Sequence, residues 1–226
     1  MPDNAYGREL TPEEIAAGVH RDMVGGMWEE VGRLQLDFLQ REGLAPGSTL
    51  LDVGCGCLRA GVHFVRFLEP GRYYGIDVNA SLVRAGLEHE LPRAGLAGRL
   101  PPDHLLVNGA FEGRRFGVAF DYALAQSVFT HLPAAQIAGA LRELARCVRP
   151  GGRLYATFFE CAGRQVPESL VHEPGGVTSF RDRDPFHYRF RDLAASCAGL
   201  PWNPLYLGGW GHPRDQRMIR FERTRE

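Results

Sequence analysis

Between residues 48 and 159, short apolar runs alternate with amphipathic segments of helix length, and this alternation restricts the fold more than any other feature. Residues 48–53, 72–77, 104–107, 120–125 and 153–159 read as strands, and residues 60–68, 79–91 and 133–148 as helices. Strands separated by helices of that length need crossovers rather than hairpins. The pattern therefore predicts an α/β fold with a mostly parallel sheet and helices on both faces. In such sheets ligands collect at the carboxyl ends of the strands. That nominates residues 54–57, 77–79, 108–111, 126–131 and the region from Glu160 onward.

The flanks differ. Thr11-Pro12-Glu13-Glu14 carries a helix start, with a capping hydroxyl, proline at the first helical position and acids in the first turn. Met27, Val31, Leu34, Phe38 and Leu39 recur at three and four, which predicts one helix over 23–42, ended by Gly43 and Pro46-Gly47. Past Phe159 the alternation stalls. Residues 160–188 contain Gly163, Pro167, Pro174, Gly175, Gly176 and Pro185 without a period, which predicts an irregular lid or substrate segment. A helix over 189–198 follows, then β runs at 205–209 and 217–221, whose short link predicts an antiparallel pair.

Composition closes off several chemistries. All 26 basic residues are arginine, so no lysine Schiff base, P-loop lysine or kinase lysine exists. A net charge of −1 disfavours a dedicated nucleic-acid binder. Arg181, Arg183, Arg189 and Arg191 interleave with Asp182, Asp184 and Asp192, so they read as a charge-paired loop. No apolar run reaches membrane-span length, and the first residues lack the pattern of a secretory signal. Five cysteines without a framework spacing fit a reducing cytoplasm. Cys55 and Cys57 are too close for a zinc pair, so no metal site is expected.

The glycine loop is the sharpest local feature: Leu51-Asp52-Val53-Gly54-Cys55-Gly56-Cys57-Leu58-Arg59-Ala60-Gly61. The dinucleotide pattern would need glycine at 59, and the P-loop would need Gly-Lys. The acid two residues before Gly54 favours a cationic or amino-bearing ligand over a pyrophosphate. Asp77 ends the next strand, where an acceptor-only carboxylate can take both hydroxyls of a ribose.

These residues resemble the class I, Rossmann-like S-adenosylmethionine-dependent methyltransferases of small-molecule type. Residues 51–56 are similar to the family's first motif and Gly75-Ile76-Asp77 to its ribose motif. Phe120-Asp121-Tyr122 with Ser127-Val128-Phe129-Thr130-His131-Leu132 resembles the fourth-strand motif, and residues 149–154 the turn into the fifth strand. The resemblance implies a seven-stranded sheet of order 3-2-1-4-5-7-6 with the last strand antiparallel. It implies a domain over residues 46–226 and, over residues 1–45, a helical cap folded on the cofactor.

It further implies S-adenosylmethionine as cofactor, with S-adenosylhomocysteine as product. Asp52, Gly54, Cys55 and Gly56 would surround the methionine part, with Arg59 beside them. Asp77 would take the ribose and Val78, Asn108, Ala110 and Phe111 the adenine, and Gln126 and Ser127 would border the sulfonium. Leu58 departs from the family, which has a third glycine there; Asn108 replaces the acid common after the third strand. Candidate general bases are His131, His187 and His20, with His212 read as structural and Glu160 as either binding a polar substrate group or solvated.

The base-methylating signature is missing from Ala125-Gln126-Ser127-Val128, and no convincing carboxylate set for a metal-dependent enzyme is present. The expected activity is methylation at oxygen or nitrogen of a small organic acceptor, with natural products among the candidates. The aromatic residues between 180 and 190 suggest an acceptor with apolar area. The rival readings are an RNA or protein methyltransferase and a non-methylating S-adenosylmethionine-binding module. A monomer and a homodimer are equally compatible with the sequence.

Overall fold

The computed structural model describes residues 5–225. The chain divides into two compact units, Met1–Gly109 and Ala110–Glu226.

The first unit begins with three helices, α1 (Pro12–Ala16), α2 (Val19–Met23) and α3 (Trp28–Arg41). Thr11 caps α1 through a complete capping box with Glu14. One helix was expected over 23–42, but Gly25 and Gly26 take left-handed φ angles of 91° and 62°, and Met27 follows at 47°. No α-helix passes through three such residues, so α2 ends and α3 starts anew. Next come β1 (Leu50–Val53), α4 (Gly61–Phe67), β2 (Tyr73–Asp77), α5 (Ala80–Ala85) and α6 (Leu91–Arg93), and then β3 (Leu105–Val107). A π-helical turn, Gly86–Glu90, joins α5 to α6, so the expected helix over 79–91 is present with one widened turn. The strands are parallel in the order β3-β2-β1, with Val53 opposite Ile76 and Asp77 opposite Val107. All four residues of β1 are buried, as a parallel strand covered on both faces requires.

The second unit contains β4 (Phe120–Ala125), α7 (Ala134–Leu144), β5 (Val148–Glu160), β6 (Ser169–His172), β7 (Val177–Phe180), β8 (His187–Tyr188), α8 (Phe190–Ala195), β9 (Trp202–Gly209) and β10 (Arg217–Arg223). β4 and β5 are parallel, and β10 runs antiparallel to both β5 and β9, giving β4-β5-β10-β9. With β9 and β10 as the sixth and seventh strands, the two units carry the 3-2-1 and 4-5-7-6 parts of the expected order. The fold is α/β, mostly parallel, with flanking helices.

Three differences from the sequence reading have local causes. β5 starts at Val148, because the Arg149-Pro150-Gly151-Gly152 turn is absorbed as an irregularity: Phe120 faces Val148 and Tyr122 already faces Arg153. β9 starts at Trp202 despite Pro204, which an edge strand tolerates. Residues 160–188 are not irregular throughout. β6 and β7 form an antiparallel hairpin, and β8 pairs with the end of β5 through Phe159–His187 and Glu160–Tyr188.

Candidate functional site

In the first unit, a tight loop follows β1. Gly54 and Gly56 have φ of 74° and 52°, and Leu58 has φ of 66°. The loop thus keeps a left-handed residue where the family has its third glycine, but with a side chain attached. That side chain is fully buried. Its room comes from two glycines: a Cβ on Gly61 would lie 2.8 Å from Leu58 Cβ, and one on Gly86 would lie 2.6 Å from Leu58 Cγ. The departure at position 58 is therefore answered at 61 and 86. Cys55 also needs a glycine, since a Cβ on Gly75 would lie 2.8 Å from its Sγ. Cys55, Cys57, Cys147, Cys161 and Cys197 are buried free thiols.

Asp77 ties the loop to its neighbours. Its Oδ2 accepts from Gly56 N and its Oδ1 from Asn79 N, each at 2.8 Å. Its own carbonyl accepts from Asn108 N at 2.8 Å. The structure thus brings together Gly56, Asp77 and Asn108, three of the sequence-nominated residues, at the carboxyl ends of β1, β2 and β3. A carboxylate offers about four acceptor directions, so these amides do not exhaust it. Burial pushes Asp77 above the usual carboxylate range, against the lowering effect of the Asn79, Gly56 and Val78 amides. Val78, between these anchors, is 45% exposed.

Asp52 is buried on β1, and its Oδ2 accepts from Tyr73 Oη at 2.8 Å. Burial pushes it up to about 7; the Tyr73 bond opposes this, the Asp77 charge adds to it and Arg59 works against it. A carboxyl held this way ionises readily only when a cation arrives beside it.

The N-terminal segment packs on this loop. Leu10 and Ile15 form a cluster with Cys57, Leu82 and Ala85, against which Val19, Met23, Val24 and Trp28 pack. A Cβ on Gly56 would lie 2.9 Å from Val24 Cγ1. Asn79 caps α5 through Leu82 N, and its Nδ2 donates to the carbonyls of Tyr6 and Arg8, both at 2.8 Å. Leu10 N donates to Ser81 Oγ at 2.9 Å. Arg59, expected beside the ligand, donates Nη1 to the carbonyls of Val24 and Gly26 at 2.8 and 2.9 Å, clamping the α2–α3 turn.

His20 is corrected as a candidate base. It is completely buried, and its Nε2 donates to Glu90 Oε1 at 2.6 Å. Arg21 holds both oxygens of the same Glu90. Burial raises Glu90, yet the bonds from Arg21 and His20 outweigh it and hold the carboxyl below its usual range. The cluster fixes α2 to the π-helical turn.

In the second unit, two residues outside glycine adopt left-handed angles near the nominated positions: Phe111 at 60° and Ser127 at 58°. Such angles persist only where surroundings enforce them. At Ser127 the enforcement is visible. Its N–H donates to Thr157 Oγ1 at 2.7 Å, Thr157 donates to Gln216 Oε1 at 2.6 Å, and Gln216 Nε2 donates to Ser127 Oγ at 2.9 Å. Gln126 lies 3.3 Å from His212 Nε2. Thr157 and Gln216, which the sequence did not nominate, hold Ser127 in this conformation.

His131 closes a 3-10 turn, Phe129–His131, just past β4. Its Nδ1 lies 2.5 Å from Asp184 Oδ1. His187 is corrected as a candidate base. It is buried, with Nδ1 2.9 Å from Ser179 Oγ and Nε2 3.1 Å from the Pro167 carbonyl, so both ring nitrogens serve packing. Between 180 and 190, Phe186 and Tyr188 are buried and stack on each other, and Arg183 covers Phe180 at 3.8 Å.

The family described as a methyltransferase domain matches residues 51–154, from β1 into β5. A probable methyltransferase, ltbC, of Aspergillus luteorubrus is 30% identical over 137 residues, covering 58% of this chain and 47% of the relative. A demethylmenaquinone methyltransferase of Corynebacterium urealyticum is 27% identical over 180 residues, covering 79% and 62%. The chain thus spans roughly half to three fifths of the length of these curated relatives. Among solved structures, S-adenosylmethionine-bound CalS10, an amino pentose methyltransferase from Micromonospora echinaspora, matches with a TM-score of 0.59 at 17% identity, covering 99% of this chain and 100% of that one. Residues 51–154 thus match a methyltransferase domain, and the fold is the class I, Rossmann-like one.

Proposed function

We propose that this chain is an enzyme that moves a methyl group from S-adenosylmethionine to an oxygen or nitrogen of a small organic acceptor, leaving S-adenosylhomocysteine. The observation that carries the reading is the Asp77 hub, in which one carboxylate at the end of β2 is locked to Gly56 N and Asn79 N. Its remaining acceptor directions suit the vicinal hydroxyls of a ribose. Gly56, at a left-handed φ, keeps the backbone bare where a ligand must approach closely. Asp52 supplies a buried countercharge for the ammonium of the methionine part. Val78 and Asn108 flank the adenine.

The cofactor carries an activated methyl when bound; the protein's part is to hold, orient and dry the reactants. Residues 1–45 act as a cap over the cofactor loop, a reading supported by Val24 on Gly56 and by the Arg59 clamp. In the second unit, Ala110, Phe111, Gln126 and Ser127 keep the adenine-side and sulfonium-side roles that the family resemblance assigns. The β6–β7 hairpin and its flanks form the acceptor-side segment. A small-molecule acceptor is favoured because the relatives include enzymes named for a menaquinone and an amino pentose. Five free buried thiols fit a reducing, cytoplasmic setting. No helix among the described residues is long and apolar enough to cross a membrane.

The test is transfer of label from methyl-labelled S-adenosylmethionine into separate pools of metabolites, RNA and protein. Label in the metabolite pool alone is the expected result. Label only in RNA or protein would replace the acceptor class, and tight cofactor binding with no label anywhere would make this a binding module.

A further inference from the structure

We propose that Glu160, with Tyr206 and Phe190 beside it, recognises an ammonium group carried by the methyl acceptor; this deepens the reading above and rests on it. An ammonium has no lone pair, so it serves as a handle apart from the atom that takes the methyl. Glu160 is the last residue of β5, within the second unit and at the carboxyl end of its strand. Its side chain is 19% exposed. Tyr206 Oη donates to Oε2, and Arg217 Nε lies 3.7 Å from that same oxygen. A carboxylate offers about four acceptor directions, and both contacts fall on Oε2.

The sheet builds this cluster. Arg217 stands opposite Phe158, two residues before Glu160, so its side chain shares a face with that of Glu160. Tyr206 stands opposite Ile219, two residues past Arg217, and joins the same face. The β9–β10 register slips between Met218 and Ile219, which pair with Gly208 and Tyr206 and leave Leu207 as the extra residue. Such a bulge re-aims the side chains next to it. The strand then ends in Gly208, at φ of 75°, and Gly209. A Cβ on Gly209 would lie 2.9 Å from Arg217 Nη1, and one on Gly208 would lie 3.4 Å from the Tyr206 ring. Two bare residues thus make room for the guanidinium and the ring. Phe190, the first residue of α8, sets its ring 5.4 Å from that of Tyr206. The β6–β7 turn borders the region as well, since a Cβ on Gly175 would lie 2.7 Å from Arg214 Cα.

The charges select a cation. Arg217 is shared, because its Nη2 also lies 3.2 Å from the Asp215 carboxylate. One guanidinium serves two carboxylates, and its distance from Glu160 exceeds hydrogen-bond length. Burial, and then the bond to Glu160, pushes the Tyr206 phenol up to about 12, so it stays a neutral donor. A mostly covered carboxylate beside an aromatic ring that is 39% exposed suits an ammonium on an apolar body. The charge meets Glu160, and the ring takes the stem. An anionic handle would be repelled, and a hydroxyl would form the weaker, uncharged-donor bond.

The experiment titrates the full chain with tyramine and with 4-ethylphenol, which share a phenol and differ by the ammonium. Binding is read from NMR shifts of the Tyr206 and Phe190 rings. Tyramine should move both rings and bind about tenfold more tightly than 4-ethylphenol, an advantage that shrinks as salt is raised. Glu160→Gln, which keeps an acceptor for Tyr206, should erase the advantage. Arg217→Gln, which removes the competing cation, should enlarge it, a gain that a folding defect cannot imitate. Equal binding of the two probes to wild type, or an advantage that survives Glu160→Gln, overturns the assignment. So does label from methyl-labelled S-adenosylmethionine entering amine-free phenols as readily as amine-bearing ones. Tyramine bound at Tyr206 with no label reaching any acceptor would leave this site standing and overturn the methyl-transfer reading.

Discussion

The Tyr73 hydroxyl donates to Asp52 Oδ2 at 2.8 Å, and neither side chain reaches water. Burial pushes Asp52 up to about 7 in spite of that bond. A carboxyl raised in the folded state contributes stability below its unfolded value, near 4, and that contribution is lost as the pH rises through about 7. The ligand-free protein should therefore weaken over this window. Asp52→Asn keeps an acceptor for Tyr73 and should melt several degrees higher at pH 8. It should also bind S-adenosylmethionine more weakly. Titration calorimetry on wild type should find tighter binding at pH 8 than at pH 6, with a proton released at pH 6; the variant should lose both effects. A variant less stable than wild type at pH 8 would contradict the burial argument.

Leu58 and Gly86 make a second coupled pair. A Cβ at 86 would meet Leu58 Cγ at 2.6 Å and the Cys57 carbonyl carbon at 3.1 Å. Gly86→Ala should cost about 1–3 kcal/mol of stability through overpacking. Leu58→Ala alone should cost about 2–5 kcal/mol through the cavity it opens. In the double variant the added methyl enters that cavity, so the two losses should fall short of their sum in urea unfolding. Strict additivity would mean that the contact does not set the loop's conformation.

What could be read from the sequence follows from how local each signal is. Gly54, Gly56 and Asp77 stand out because loop and acid follow apolar runs at fixed spacing, and the structure bonds Gly56 to Asp77. Leu58 was legible only as a departure, since its left-handed backbone and its need for Gly61 and Gly86 are tertiary facts. Tyr73 and Gln216 carried no signal, and Asp184 read only as part of a charge-paired loop. Tyr73, Asp184 and Gln216 meet Asp52, His131 and Ser127 across 21, 53 and 89 residues. His20 and His187 attracted attention by residue type and place in the chain, but Glu90, Ser179 and Pro167 decide what their rings do.

Arg59 offers a test of the cap. Its Nη1 holds the Val24 and Gly26 carbonyls, one residue either side of Gly25. Arg59→Met keeps an unbranched apolar stem and removes both donors, at about 1–3 kcal/mol for the carbonyls left unsatisfied. Hydrogen exchange should quicken in residues 19–28 while α7 and β5 keep their protection. Cofactor affinity should fall by several-fold through loss of preorganisation. Unchanged exchange in that segment would show that the helices hold the turn without the guanidinium.

A relay of three side chains holds the β6–β7 hairpin. His172 Nε2 lies 2.7 Å from Ser179 Oγ, which lies 2.9 Å from His187 Nδ1, and His187 Nε2 lies 3.1 Å from the Pro167 carbonyl. One proton order satisfies all three contacts: His187 donates to Pro167, Ser179 donates to His187, and His172 donates to Ser179. All three side chains are buried, so Ser179→Ala strands two ring nitrogens and should cost about 1–3 kcal/mol. Burial lowers the His172 pKa, with the neighbouring His187 adding to the effect, Asp215 opposing it and Arg217 reinforcing it. A histidine kept neutral by the fold contributes stability above its unfolded value, near 6.5, and loses it as the pH falls through the lower folded value. Corrected for intrinsic rates, amide exchange in residues 169–180 should therefore accelerate from pH 7 to pH 5 in wild type. In His172→Gln, which cannot take up a proton, that acceleration should shrink; an equal acceleration in both proteins would place the acid-sensitive group elsewhere.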